Sequence, residues 1–185
     1  KKQLYIAADN IISPLGFTSE ENFEQLKNMK TGIHLINSLV YSQEPLYAAL
    51  INERKLNEAF KKIKTSSSFT RLEKLIILSV SEALKQNEAI DVTDKKTLII
   101  LSTTKGNIDL LAAPTAHAFD KKRIHLWETA RVIQQHFQSP NTPLLVSNAC
   151  ISGVLAIILG KRLLESAAYE NIIVCGVDIL SEFVV

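Results

Sequence analysis

The chain has 185 residues, 46% hydrophobic and 22% charged, a balance that excludes a disordered chain and gives a single domain as the expectation. A formal charge of +2 leaves no whole-chain argument for nucleic acid or a membrane surface as partner. Two cysteines make no disulfide framework and fit a reducing cytoplasm, and Lys161 and Arg162 interrupt the longest apolar run, so no membrane span is expected.

No signal-peptide pattern opens the chain. Residues 4–8 read as a short strand, followed by a turn through Ser13-Pro14-Leu15-Gly16. Thr18 and Glu21 have capping-box spacing for a helix with Phe23, Leu26 and Met29 facing inward, stopped at Thr31-Gly32. His34 reads as a partly exposed loop histidine. Residues 46–50 suit a strand and residues 53–63 a charged surface helix. Lys55, Lys61, Lys62 and Lys64 form a basic run there, which by itself reads as a solvated face.

The polar stretch Thr65-Ser66-Ser67-Ser68 is too short for a domain linker. Leu72, Leu75, Ile76, Val80, Ala83 and Leu84 then recur at helical spacing. Residues 97–102 (TLIILS) read as a buried strand running into Thr103-Thr104-Lys105-Gly106-Asn107, which lacks the G-x-x-x-x-G-K-[ST] phosphate-loop pattern. Residues 112–122 are irregular around Pro114 and suit an edge of a site or a partner contact. His117 and His125 have no second ligand at metal spacing, so neither a metal nor a cofactor is expected. Leu126, Ala130, Ile133 and Phe137 mark another amphipathic helix.

Residues 143–177 then read as strand, sharp turn, helix and strand, with Cys150 at the turn. The helix, drawn over residues 151–168, is apolar nearly all round and so is expected to be sheathed by protein. Gly153 and Gly160 within it suggest close approach by neighbouring backbone. The strand of Ile172, Ile173, Val174, Cys175 and Val177 is apolar without alternation, as in a parallel sheet covered on both faces. Alternating strands and helices make the class α/β, with a mostly parallel mixed sheet and helices on both faces. A thiol at a helix start meets unpaired N–H groups that favour a thiolate and can support an oxyanion. Cys150 fits that description, and it also fits a buried structural cysteine. Cys175, set among Ile and Val, reads as a small core side chain.

The segment Ser147-Asn148-Ala149-Cys150-Ile151-Ser152-Gly153-Val154 resembles the nucleophile motif of the β-ketoacyl-[acyl-carrier-protein] synthases, condensing enzymes of fatty-acid and polyketide synthesis. Ile12-Ser13-Pro14-Leu15-Gly16 is similar to that family's exit from its first strand, and Thr31-Gly32-Ile33 to its next turn. Cys175-Gly176-Val177-Asp178 resembles the Gly-Gly-x-Asp/Glu strand end that follows the nucleophile helix. The four points keep order and separation over nearly the whole chain.

The resemblance implies a thiolase-like fold, with residues 1–185 as the N-terminal half of a synthase domain and the Cys150 helix buried between sheets. It implies Cys150 as the acyl-accepting nucleophile, its own N–H one oxyanion donor, in a decarboxylative Claisen condensation with malonyl carrier protein. Acyl carrier protein is then the partner, and its acidity suits the basic run. Asp178 holds a loop and has no catalytic role. Lys105 departs from the small and apolar residues usual in the loop leading to the acyl pocket, which puts acyl length in doubt. A homodimer through residues 144–147, or a heterodimer with a related synthase, is expected in the cytoplasm. The family's catalytic histidines, buried lysine and Gly-rich loop belong to the second half. None of His34, His117, His125 and His136 matches them, so this length alone is expected not to condense acyl groups. Alternatives are a non-catalytic, chain-length-factor-like or scaffolding subunit, and a thiolase.

Overall fold

The structure, a computed structural model, describes residues 3–112 and 119–185. His117 and the middle of the irregular stretch around Pro114 lie outside the described residues. The elements in order are α1 (Ser19–Lys27), β1 (Ile33–Ile36), β2 (Leu46–Ala49), α2 (Glu53–Phe60), α3 (Arg71–Lys85), β3 (Thr97–Ser102), α4 (Leu126–Phe137), β4 (Leu144–Val146), α5 (Ser152–Glu165) and β5 (Asn171–Gly176). Single 3₁₀ turns at Ile108–Leu111 and Lys121–Ile124 lead from β3 to α4.

The centre is a three-stranded parallel sheet in the order β4-β3-β5. Every residue of β3 is buried, as an unbroken apolar run requires. Its side chains alternate between two cores. Ile99 and Leu101 pack with Leu72, Leu75, Ile76 and Ile133 of α3 and α4, while Leu98 and Ile100 pack with Ala156 of α5. Register runs from Thr97 opposite Asn171 to Ser102 opposite Gly176, and from Ile100 opposite Leu144 to Ser102 opposite Val146. Helices therefore cover both faces, as expected for an α/β sandwich. The strand β4 lies at one edge, with its outer side unpaired among the described residues.

Helix α3 starts where Thr70 accepts the Glu73 N–H and the Glu73 carboxylate accepts the Thr70 N–H, a reciprocal cap visible in the spacing T-x-x-E. Helix α1 carries only half of that device. Thr18 accepts the Glu21 N–H at 3.1 Å, but the Glu21 side chain takes the Phe17 N–H at 2.6 Å, one residue before the cap.

Four expectations need correction. Residues 4–8 form no strand: no ladder partner meets them among the described residues, and Tyr5 and Ile6 are exposed. Phe23, Leu26 and Met29 face outward. Helix α1 docks instead through buried Asn22, whose Nδ2 donates to the carbonyls of Ile11, Gly16 and Thr18 at 3.0, 3.1 and 2.7 Å. Seated there, its apolar stripe points away from the body. His34 lies in a strand, exposed, because β1 pairs antiparallel with β2 and brings His34 opposite Ala48.

The fourth correction is α5, which is shorter than residues 151–168 and not sheathed. Only Ser152, Ala156 and Gly160 are buried, one small residue per turn, whereas Val154 and Ile157 stay about 60% exposed. Small residues let the helix sit close on the sheet. The neighbour at Gly160 is a side chain and not the expected backbone, Ile172 Cγ2 lying 3.0 Å from an added Cβ, and at Gly153 an added Cβ would meet nothing within 4 Å. Leu159 and Leu163 pack partly buried against the same cluster, and Val154, Ile157 and Ile158 are left exposed.

Candidate functional site at Cys150

Loops leave the carboxyl ends of the three parallel strands, after β3, β4 and β5, the usual place for sites in open α/β sheets. The first follows β3. Asp178, just beyond β5, clamps it by accepting from Thr103 Oγ1 at 3.0 Å, Thr104 N at 2.9 Å and Thr104 Oγ1 at 2.9 Å. Asp178 thus does hold a loop. Gly106 turns the same loop at φ 57, with a side-chain position already occupied by Leu126, whose Cδ2 would lie 2.4 Å from an added Cβ.

The second loop joins β4 to α5 in five residues, 147–151. Ala149 adopts φ 45, a left-handed conformation uncommon for a residue with a side chain. The Ile151 N–H returns to the Asn148 carbonyl at 3.2 Å, and the Ser152 hydroxyl accepts the Asn148 N–H at 2.7 Å. Cys150 stands at the apex, exposed and unpaired in any disulfide. It precedes the helix start at Ser152, whose first turn has no side-chain cap. The leading N–H groups of a helix have no intrahelical acceptors, and here the Ser152 N–H is taken by the Ala149 carbonyl at 3.3 Å. Of the two readings left open by the sequence, the buried structural cysteine does not hold.

Cys175 is the contrasting thiol. It is buried in the α3 side of the sheet, and burial pushes its pKa up to about 12. The sign of the consequence follows from proton binding. Above its unfolded value of 9.0 the unfolded chain loses this proton while the folded chain keeps it, so folding weakens as pH rises from 9.0 toward about 12. The expected loss is about 1.4 kcal/mol per pH unit from this group. Urea unfolding at pH 8 to 11 should show a steeper decline for the natural chain than for Cys175→Ala.

None of the described histidines joins the Cys150 turn. His34 is on the β1–β2 ribbon, His125 begins α4 stacked on Trp127, and His136 packs edge-on against Phe69. Burial holds His136 below the usual histidine pKa. A cavity of about 300 Å³ beside Asn10, Ile12, Leu75 and Cys175 is lined by none of the turn residues. Among the described residues no cluster of His, Cys, Asp and Glu is arranged to hold a metal, and no helix is long and apolar enough to cross a membrane.

Sequence reasoning missed a basic groove of about 320 Å³ between Lys64, Ser67, Arg123, Arg131 and His136. It also missed the buried cluster beside it, where Glu73 pairs with Arg123 and with Asn107 Nδ2. These residues lie 34 and 50 positions from Glu73, so only T-x-x-E was visible.

No family model matches the sequence, and no curated protein matches it. Solved structures do. A chain of the ishigamide ketosynthase/chain length factor superposes with a TM-score of 0.68 at 19% identity, covering 92% of this chain and 51% of its own length. A chain of a ketosynthase in complex with its chain length factor from Xenorhabdus doucetiae gives 0.65 at 16% identity, covering 89% and 44%. A β-ketoacyl synthase from Burkholderia phymatum STM815 gives 0.63 at 14% identity, again covering 89% and 44%. The chain has the thiolase-like ketosynthase fold. It spans about half the length of these solved chains.

Proposed function

We propose that this chain is the Cys150-bearing, N-terminal part of a β-ketoacyl synthase and that Cys150 accepts an acyl group from acyl carrier protein. The observation that carries this reading is an exposed thiol at the apex of a strand–turn–helix unit, with Ala149 left-handed, inside a ketosynthase fold. Cys150 Sγ adds to the thioester carbonyl, and the Cys150 N–H donates to the oxygen as it gains charge. The acyl-enzyme then meets a malonyl carrier protein, whose decarboxylation supplies the carbanion. That second step calls for histidines, and neither His34, His125 nor His136 is placed to serve Cys150. By the sequence resemblance those histidines fall in the part of the synthase that this chain does not cover, so condensation by this chain alone is not expected.

The carrier protein docks on the basic groove. Lys64 lines it without an ion pair among the described residues, whereas Arg123 and Arg131 are paired with Glu73 and Glu128. Lys61 and Lys62 extend the positive surface. Lys64→Glu is expected to slow acyl transfer from a loaded carrier protein by about 3- to 10-fold while leaving transfer from a free thioester unchanged. Intact-mass kinetics on both donors checks this; equal slowing on both would remove the carrier from the groove.

Assembly with a second, related chain follows from the unpaired outer edge of β4 at residues 144–147, either as a homodimer or as a heterodimer with a related synthase. Two free thiols suit the cytoplasm. A chain-length-factor-like subunit is the second reading, favoured by the two ketosynthase/chain length factor structures among the matches. Acylation of Cys150 separates the two.

A further inference from the structure

Ser152 opens α5 and is only 5% exposed, while Ile151 before it is 52% exposed and Val154 after it 59%. Ser152 is the first helical residue, Ile151 stands at the cap position with no side-chain cap, and the Ser152 hydroxyl points back into the turn. It accepts the Asn148 N–H at 2.7 Å and donates to the Ala149 carbonyl at 2.8 Å. The Ala149 carbonyl also accepts the Ser152 N–H at 3.3 Å. One buried side chain therefore ties together the backbone on the approach to Cys150. The left-handed Ala149, at φ 45, lies inside that tie. Such a conformation persists only where the surroundings over-determine it.

From this we infer that Ser152 is a positioning residue for acyl transfer: it fixes the Ala149–Cys150 peptide so that the Cys150 N–H and Sγ meet the same incoming carbonyl. The inference rests on the reading of Cys150 as acyl acceptor. In the step concerned, the Cys150 thiolate forms a bond to the thioester carbon and the carbonyl electron pair moves to oxygen, where the Cys150 N–H donates. Collapse re-forms the carbonyl and breaks the donor's C–S bond. The departing thiolate takes up the proton that Cys150 had released to solvent. Alkylation by iodoacetamide is a displacement at saturated carbon. It develops no oxyanion and needs only an exposed thiol, so the ratio of the two rates isolates the peptide's geometry.

The test follows both reactions on the full chain by intact mass and peptide mapping, with hexanoyl-N-acetylcysteamine as acyl donor. Ser152→Ala is expected to slow acylation of Cys150 by about 10- to 100-fold while alkylation stays within about 3-fold, and Ser152→Thr, which keeps the hydroxyl, restores acylation. Buried Cys175 serves as the folding reporter and stays unmodified in each sample. Acylation of Ser152→Ala at the natural rate, or a parallel fall of both reactions, would overturn the assignment. Should Ser152→Ala expose Cys175, Ser152→Thr decides: protected Cys175 with acylation lost overturns it, and acylation retained supports it. A natural chain that is alkylated but never acylated would sink the acyl-acceptor reading itself, and the role of Ser152 with it.

Discussion

Cys150→Ser is expected to cut acyl transfer onto the chain by about 10³-fold or more, because a serine hydroxyl with no adjacent base is a far weaker nucleophile than a thiolate. The fold should not notice. Cys150 is exposed, and surface substitutions away from buried contacts change stability by no more than about 0.5 kcal/mol. The second thiol gives the internal control. Cys175 is buried and its pKa stands at about 12, so at pH 7 only about one molecule in 10⁵ carries the thiolate. Acyl groups and alkylating agents should therefore land on Cys150 alone, and Cys175→Ala should leave both reactions unchanged. The measurement is intact mass with peptide mapping after exposure to an acyl-loaded carrier protein or a free thioester. Equal acylation of the natural chain and Cys150→Ser would remove Cys150 as acceptor. A natural chain that takes no acyl group from either donor would favour the chain-length-factor-like subunit.

What the sequence makes legible divides along physical lines. The elements β3, α3 and α4 carry their apolar pattern over their own length, and their burial follows from it, whereas β4 and β5, equally apolar, are only partly covered. The turn at Cys150 was legible because it needs only a strand before it and helix formers after it; whether its sulfur was exposed or buried was not. The first fifty residues were harder. A four-residue strand such as β1 has no periodicity to read, and its existence depends on β2 beside it. The stripe of Phe23, Leu26 and Met29 has helical spacing, but the side that docks is set by Asn22 and the carbonyls of residues 11, 16 and 18. Helix α5 misled for a related reason. Its apolar residues run all round, yet only the face of Ala156 and Gly160, with Leu159 and Leu163 beside it, meets the sheet. Ser152 gives no signal of its own, since its position within the motif does not reveal which way its hydroxyl turns.

Removing the positive partner of Glu73 should cost the fold about 3–5 kcal/mol, since a buried carboxylate is left without its counter-ion. Glu73 is fully buried at the start of α3, and its oxygens accept from Arg123 Nε at 3.0 Å, from Arg123 Nη2, from the Thr70 N–H at 2.8 Å and from Asn107 Nδ2 at 3.3 Å. Asn107 in turn donates to the Arg123 carbonyl at 2.9 Å and accepts from Thr70 Oγ1 at 2.7 Å. The cluster thereby joins the α3 cap, the end of the loop after β3 and the 3₁₀ turn before α4. Arg123→Met should lower Tm by roughly 6–20 °C, taking about 2–4 °C for each kcal/mol in a chain of this size. Glu73→Gln in the Arg123→Met background should recover part of that loss. The amide can still accept the Thr70 N–H, and no buried charge remains. A double-mutant cycle by urea unfolding reads this as a coupling of about 1 kcal/mol or more between positions 73 and 123. Additive losses would mean that Glu73 acts through the α3 cap alone, and that Arg123 is free to serve the basic groove.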